Sequence, residues 1–229
     1  MKEMHVLGMD LKDYSVKEAM RMVDGFLQEP KVSTVSFLTE ELLLSAQENE
    51  KLQGYLASMD LTVPVSSDII EAADIGSRSR IKEIEEYKFV TELLKKLSDE
   101  ERTAFVLAET QDDADRLVEL IRDTASAIQI LGSYSMDKAT GDDDQVVNEI
   151  NAAFVDVVFS SVHSPRQEQF ICKHRDKMNA SLFLSMREEF ASPQENSKLS
   201  LRMKQFVKQL IFRLKAANYA RKMNKRENA

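Results

Sequence analysis

Short apolar runs recur along this chain, and amphipathic stretches of helical period separate them. The runs "STVSFLT", "LTVPV", "TAFVLAE", "SAIQILGSYS", "VDVVFSSV" and "ASLFLSM" are rich in β-branched and aromatic residues and read as strands. Between them lie helical patterns of about 10–15 residues, such as "EYKFVTELLKKLSDEE" and "TQDDADRLVELIRDTA". This alternation predicts an α/β fold: a mainly parallel, Rossmann-like sheet flanked by helices. Only six glycines and four prolines serve 229 residues, which agrees with long helices and short turns and disfavours an all-β sandwich.

Local signals refine the pattern. "HVLGMDL" reads as a short strand or the start of a hairpin. Ser15 and Glu18 form a capping box ahead of Val16, Ala19, Met20, Val23 and Phe26. "EELLLSAQENEKLQGYLASM" is helical, with a break expected near Gln53-Gly54. Thr110 is placed to cap a helix whose first turn is acidic, where the dipole favours acids.

A hydrophobic content of 43% supports a large core and disfavours disorder. The one cysteine, Cys172, excludes an internal disulfide framework and a Cys-rich zinc site, and suits a reducing compartment. The opening residues lack the apolar stretch of a signal peptide, and no run of about 18 apolar residues spans a membrane. The expected location is cytoplasmic. Charge is unevenly placed. Residues 198–229 carry ten Lys and Arg against one acid, so the rest holds about −17 of a net −8. Such asymmetry points to an anionic surface, and the acidic body argues against nucleic acid.

Neither GxGxxG nor GxxxxGK[ST] occurs. In open α/β sheets ligands bind beyond the carboxyl ends of strands, so the candidate site is the set of loops 37–40, 64–68, 108–111, 132–136 and 160–168. Ser160, Ser161, His163 and Ser164 offer short donors there. Pro165 suits a first helical position, and Gln167 carries an amide for a base or sugar edge. The group reads either as an anion seat at a helix start or as a capped, solvated connection. Asp68 in "PVSSDII" reads either as a general base or as a helix-start acid. The histidines His5, His163 and His174 have no metal-ligand spacing, and His174 is expected to face solvent between Lys173 and Arg175. No metal and no cofactor is expected, and "GDDDQ" reads as a dipole-favoured cluster.

The basic tail carries an apolar stripe of Leu201, Phe206, Val207, Leu210, Ile211 and Leu214 flanked by cations. As an amphipathic helix it suits an anionic leaflet, or it docks on the acidic body. The expected division is a core over 1–195 and an appendage over 196–229.

"HSPRQEQFICKHRD" resembles the G-x-P-K-Q-E-x-W-I block of the WecG/TagA/CpsF glycosyltransferase family, with Pro165, Arg166, Gln167, Glu168 and Ile171 in step. "VVNEINAAFVDVVFSSV", "ILGSYS", "LGMDLKDYSVKEAM" and "VSFLTEELLLSA" resemble other family segments in the same order. The resemblance implies an inverting, metal-independent enzyme. It would move an N-acetylmannosamine-like hexose from a UDP-sugar to a polyprenyl-diphosphate-linked acceptor at the inner membrane face, for cell-envelope polysaccharide such as teichoic acid. It also implies a membrane-associated basic appendage and a possible homo-oligomer. "LIFRLKAANYAR" resembles the family's W-x-x-R-L…R segment, which puts Arg213, and approximately Arg221, against the acceptor diphosphate.

Several positions depart from the family pattern. Where the family has P-D-G-x-G, this chain has Pro64 followed by Val65, with Ser66 and Asp68 on the glycine positions. Phe37 replaces a threonine and Thr39 a sugar-facing asparagine. "AET" replaces a G-G turn, Ser161 and His163 stand near glycine positions, and "SMREEFAS" lacks the glycines of a further turn. Two readings follow. In the first, Asp68 supplies the base and Thr39, Ser66, Ser67, His163, Arg166, Gln167, Glu168, Arg213 and Arg221 bind substrate. In the second, the fold survives as a nucleotide-sugar or partner-binding module without catalysis, because a valine accepts no proton.

Overall fold

The structure is a computed structural model and describes residues 1–138 and 143–186. The chain opens with an antiparallel hairpin, β1 (Lys2–Val6) and β2 (Met9–Asp13), turned at Leu7 and Gly8, both at positive φ. Helix α1 (Val16–Phe26) starts at the Ser15–Glu18 capping box. Strand β3 (Ser33–Leu38) leads to α2 (Glu40–Gln47) and α3 (Glu50–Ala57). The break between these two helices falls at Asn49 rather than at Gln53-Gly54. Asn49 Oδ1 accepts the N–H groups of Lys51 and Leu52 and caps α3, whereas Gly54 sits within that helix.

Strand β4 (Leu61–Pro64) is followed by α4 (Ser67–Ala72), α5 (Arg78–Glu85) and α6 (Lys88–Asp99). Helix α5, capped by Ser77, is not announced by the apolar pattern. Next come β5 (Thr103–Ala108), α7 (Gln111–Thr124) and β6 (Gln129–Ser135). Helix α8 (Asp144–Ala153), β7 (Val157–Ser161), α9 (Arg166–His174) and β8 (Leu182–Ser185) complete the described chain.

Strands β3 to β8 form one wholly parallel sheet in the order β4-β3-β8-β7-β5-β6. One face packs Val35, Phe37, Val106, Phe159 and Leu184 beneath α1, α6 and α7. On the other face Phe105, Val158 and Phe183 pack under α8 and α9, while Leu38 joins α2, α3, α4 and the hairpin. Both faces are covered, as a parallel sheet requires. The expected fold class therefore holds for the described residues. The expected basic C-terminal helix and the expected boundary at 195/196 lie outside them.

The amino ends of the strands are tied by one device used twice. Asp60, just before β4, accepts the Thr34 N–H at 2.8 Å and the Thr34 hydroxyl at 2.9 Å, and Arg175 closes it at 2.8 Å. Asp156, just before β7, accepts the Thr103 N–H and hydroxyl, both at 2.9 Å, with Arg102 at 3.2 Å. Burial pulls the Asp156 carboxyl upward. The Thr103 donors and Arg102 outweigh it and hold the carboxyl below its usual range. A depressed carboxylate stabilises the fold above its unfolded pKa of about 3.9, and that contribution disappears as pH falls through the folded value. Asp156→Asn is expected to cost about 1 kcal/mol at neutral pH. In urea unfolding, the gap to wild type should close below about pH 4. A gap of equal size at both pH values would contradict the assignment.

Candidate functional site at the carboxyl ends of the strands

The carboxyl ends differ sharply from the amino ends. Ser36, Ser185 and Ser160 are in register on the adjacent strands β3, β8 and β7. They lie on the face that α8 and α9 cover, two residues beyond Thr34, Phe183 and Val158. All three hydroxyls are buried, and none has a hydrogen-bond partner. The same holds for Ser135 and Ser161 at the ends of β6 and β7, Ser164 in the following loop, and Gln167 Oε1 and Glu168 Oε2 in the first turn of α9. Among the described residues, His174 is the one such group far from this end. Buried polar atoms are nearly always paired, so this concentration of orphans makes the carboxyl end of the sheet the candidate site.

Topology points to the same end. The connection out of β5 runs outward to β6 and places α7 on the first face. The connection out of β7 runs the other way, to β8, and places α9 on the second face. The crevice of an open α/β sheet opens where neighbouring strands diverge in this manner, here between β5 and β7.

Glu109 stands at the tip of β5. Its backbone oxygen accepts the Asp137 N–H at 3.0 Å, which ties it to the end of β6. Its side chain crosses to the β7 loop. Oε2 accepts the His163 N–H at 3.2 Å, and Oε1 accepts Arg166 Nη1 at 3.0 Å. The His163 ring, itself exposed, has Nδ1 3.9 Å from Oε2. Arg166 also reaches the Met136 carbonyl at 3.4 Å.

Gln167 and Glu168 face inward, at 2% and 1% exposure. They share a buried stripe with Phe170, Ile171 and His174. His174 thus does not face solvent. It is 0% exposed, lies 5.2 Å from the Phe170 ring, and has Asp143 Oδ2 at 3.6 Å and Asp144 Oδ1 at 3.4 Å. Helix α9 turns that flank onto the sheet and the start of α8. The two acids flank a buried imidazole there.

On the other side of β8, Thr39 caps α2, its hydroxyl accepting the Leu42 N–H at 3.2 Å. The tips of β3 and β4 are joined by the Val65 N–H to the Leu38 carbonyl at 3.0 Å. Ser66 caps α4 by accepting the Asp68 N–H at 3.2 Å, and Ser67 is the first helical residue. Asp68 lies in that first turn at 3% exposure. Sheet order therefore sets two groups, Thr39 with Ser66–Asp68 and His163–Glu168, on either side of the β8 tip. Arg213 and Arg221 lie outside the described residues.

The sequence pattern of the glycosyl transferase WecG/TagA/CpsF family matches residues 4–191. This chain belongs to that family. A relative from Bacillus spizizenii, named N-acetylglucosaminyldiphosphoundecaprenol N-acetyl-beta-D-mannosaminyltransferase, is 25% identical over 150 residues. That match covers 66% of this chain and 58% of the relative, so this chain spans somewhat over half of the relative's length. Within a WecG/TagA/CpsF chain, Ser36 and Ser185 are not singled out by sequence, and Glu109 is read only as part of the 108–111 loop, with no role of its own. Each is set by pairing across strands rather than by local spacing.

Proposed function

We propose that this chain is a glycosyltransferase of cell-envelope polysaccharide synthesis. It moves an N-acetylhexosamine or related hexose, N-acetylmannosamine-like, from a UDP-sugar to a polyprenyl-diphosphate-linked acceptor with inversion. The observation that carries this reading is the concentration of buried, unpartnered polar atoms at the carboxyl ends of the sheet, in a chain of this family. The name of the Bacillus relative supplies the substrate class.

In this scheme the donor lies across the β8 tip, its diphosphate toward Arg166 and its sugar toward Gln167, Glu168 and the serine row. Asp68 takes the proton of the acceptor hydroxyl. The hydroxyl oxygen bonds to the anomeric carbon from the face opposite UDP, and UDP departs with the electron pair of the broken bond. Arg213 and Arg221, in the 196–229 appendage, neutralise the lipid diphosphate through bidentate contacts. That appendage rests on the anionic inner face of the cell membrane, a peripheral placement. Thr39, Ser66 and Ser67 line the acceptor side.

One observation favours the second reading, a non-catalytic binding module. Val65, where the family pattern has its aspartate, is half-buried and packs against the main core. Calorimetric titration with UDP, followed by turnover with a synthetic lipid-linked acceptor, separates the outcomes. Binding with turnover is expected. Binding without turnover supports the nucleotide-sugar module, and failure to bind UDP removes the transferase and leaves a partner-binding module.

A further inference from the structure

We infer that Glu109 occupies, in the free protein, the seat that a ligand phosphate takes at the switch point, so that Glu109 sets how strongly the site accepts anions. The inference rests on the nucleotide-sugar reading above for its ligand class. The seat is defined by two donors of different kinds, the Arg166 guanidinium and the His163 backbone N–H, converging at 3.0 and 3.2 Å on the two oxygens of one carboxylate. A two-oxygen edge held by a guanidinium and an amide is also how a phosphate is held. The carboxylate is thus an internal stand-in for the anion.

Its position makes it a competitor. Glu109 projects from β5 across to β7, over the crevice where the connections diverge, and its main chain is fixed by Asp137. A phosphate reaching Arg166 must displace the carboxylate or sit beside it, and either course costs affinity. The same contact has the geometry of a fastener for the start of α9, and the two roles predict opposite results. Loss of a fastener loosens the seat and weakens anion binding. Loss of a competitor strengthens it.

The experiment titrates the full chain and its Glu109→Gln variant with inorganic pyrophosphate and, separately, with UDP. Thermal melts establish that both are folded. Gln keeps the shape and one acceptor but removes the charge. Glu109→Gln is expected to bind pyrophosphate and UDP about tenfold more tightly than wild type, the scale of one charge-assisted hydrogen bond. Adding Arg166→Gln should abolish the gain. Should Glu109→Gln misfold, Glu109→Ser carries the same expectation. Unchanged or weaker pyrophosphate binding overturns the inference. Equal UDP binding by wild type and variant, without a pyrophosphate gain, leaves the nucleotide reading standing and removes the competitor. A pyrophosphate gain with no UDP binding by either protein supports the competitor and removes the nucleotide reading.

Discussion

Asp68→Asn should lower sugar transfer by about 10²–10⁴-fold while leaving UDP affinity unchanged. The expectation follows from where Asp68 sits. Its N–H is held by Ser66 Oγ at 3.2 Å in the first turn of α4, and the residue is buried beside the joined tips of β3 and β4. Asn preserves the size, the local cap and the polar character. What it loses is the ability to take a proton. In the proposed scheme the donor contacts Arg166, Gln167, Glu168 and the serine row rather than Asp68, so its binding should not register the change. The assay is release of UDP from a UDP-N-acetylhexosamine in the presence of a lipid-linked acceptor. Full activity in Asp68→Asn would falsify the base assignment. Val65→Asp adds a second arm, because it restores a carboxylate where the family pattern has one. If Val65→Asp rescued Asp68→Asn, the base would be shown to serve from either position on this short turn.

The sequence made the sheet legible because its signal is local. Each of β3 to β8 is a largely apolar run, and the helices between them have their own period. Caps read from single residues also stand, as with Ser15 and Thr110. Two elements escaped. Helix α5 has the sequence "RSRIKEIE", whose charge hides a narrow apolar side at Ile81 and Ile84. The α2–α3 break falls at Asn49 and not at Gly54, because a helix tolerates glycine at about 1 kcal/mol and an asparagine cap actively starts a new one.

The site was legible by region and less so by residue. The loops at the strand ends follow from fold class alone, and His163 to Glu168 do fall beside the switch point. Helical phase would have placed His174 correctly. Residues 167, 170, 171 and 174 share one stripe, and the flanking Lys173 and Arg175 obscured it. No comparable signal exists for Glu109, whose donors lie 54 and 57 residues away along the chain. Ser36 and Ser185 likewise look like ordinary small residues inside strands. Their alignment with Ser160 depends on register, which a single sequence does not contain.

Asp13→Ala should destabilise the protein by about 3–5 kcal/mol, the scale for removing one partner of a buried ion pair. Arg80, on α5, donates from Nε to both oxygens of Asp13 at 3.0 and 3.2 Å and from Nη2 to Oδ1 at 2.8 Å. Both side chains are buried. With Asp13 gone, Arg80 keeps Glu83 Oε2 at 3.2 Å but loses its fork-to-fork partner. Arg80→Lys should also fall well below wild type, since an ammonium cannot reproduce the planar pairing. The double replacement Asp13→Leu with Arg80→Met should recover most of the loss, because neither charge then remains buried alone. Chemical unfolding of the four proteins measures this directly, and two single variants with near wild-type stability would refute it. The consequence reaches the site. Asp13 ends the hairpin, Arg80 belongs to α5, and α4 with Asp68 packs against both the hairpin and α5. Breaking the pair should therefore loosen the turn that aims Asp68, and transfer by Arg80→Lys should fall further than its folded fraction accounts for.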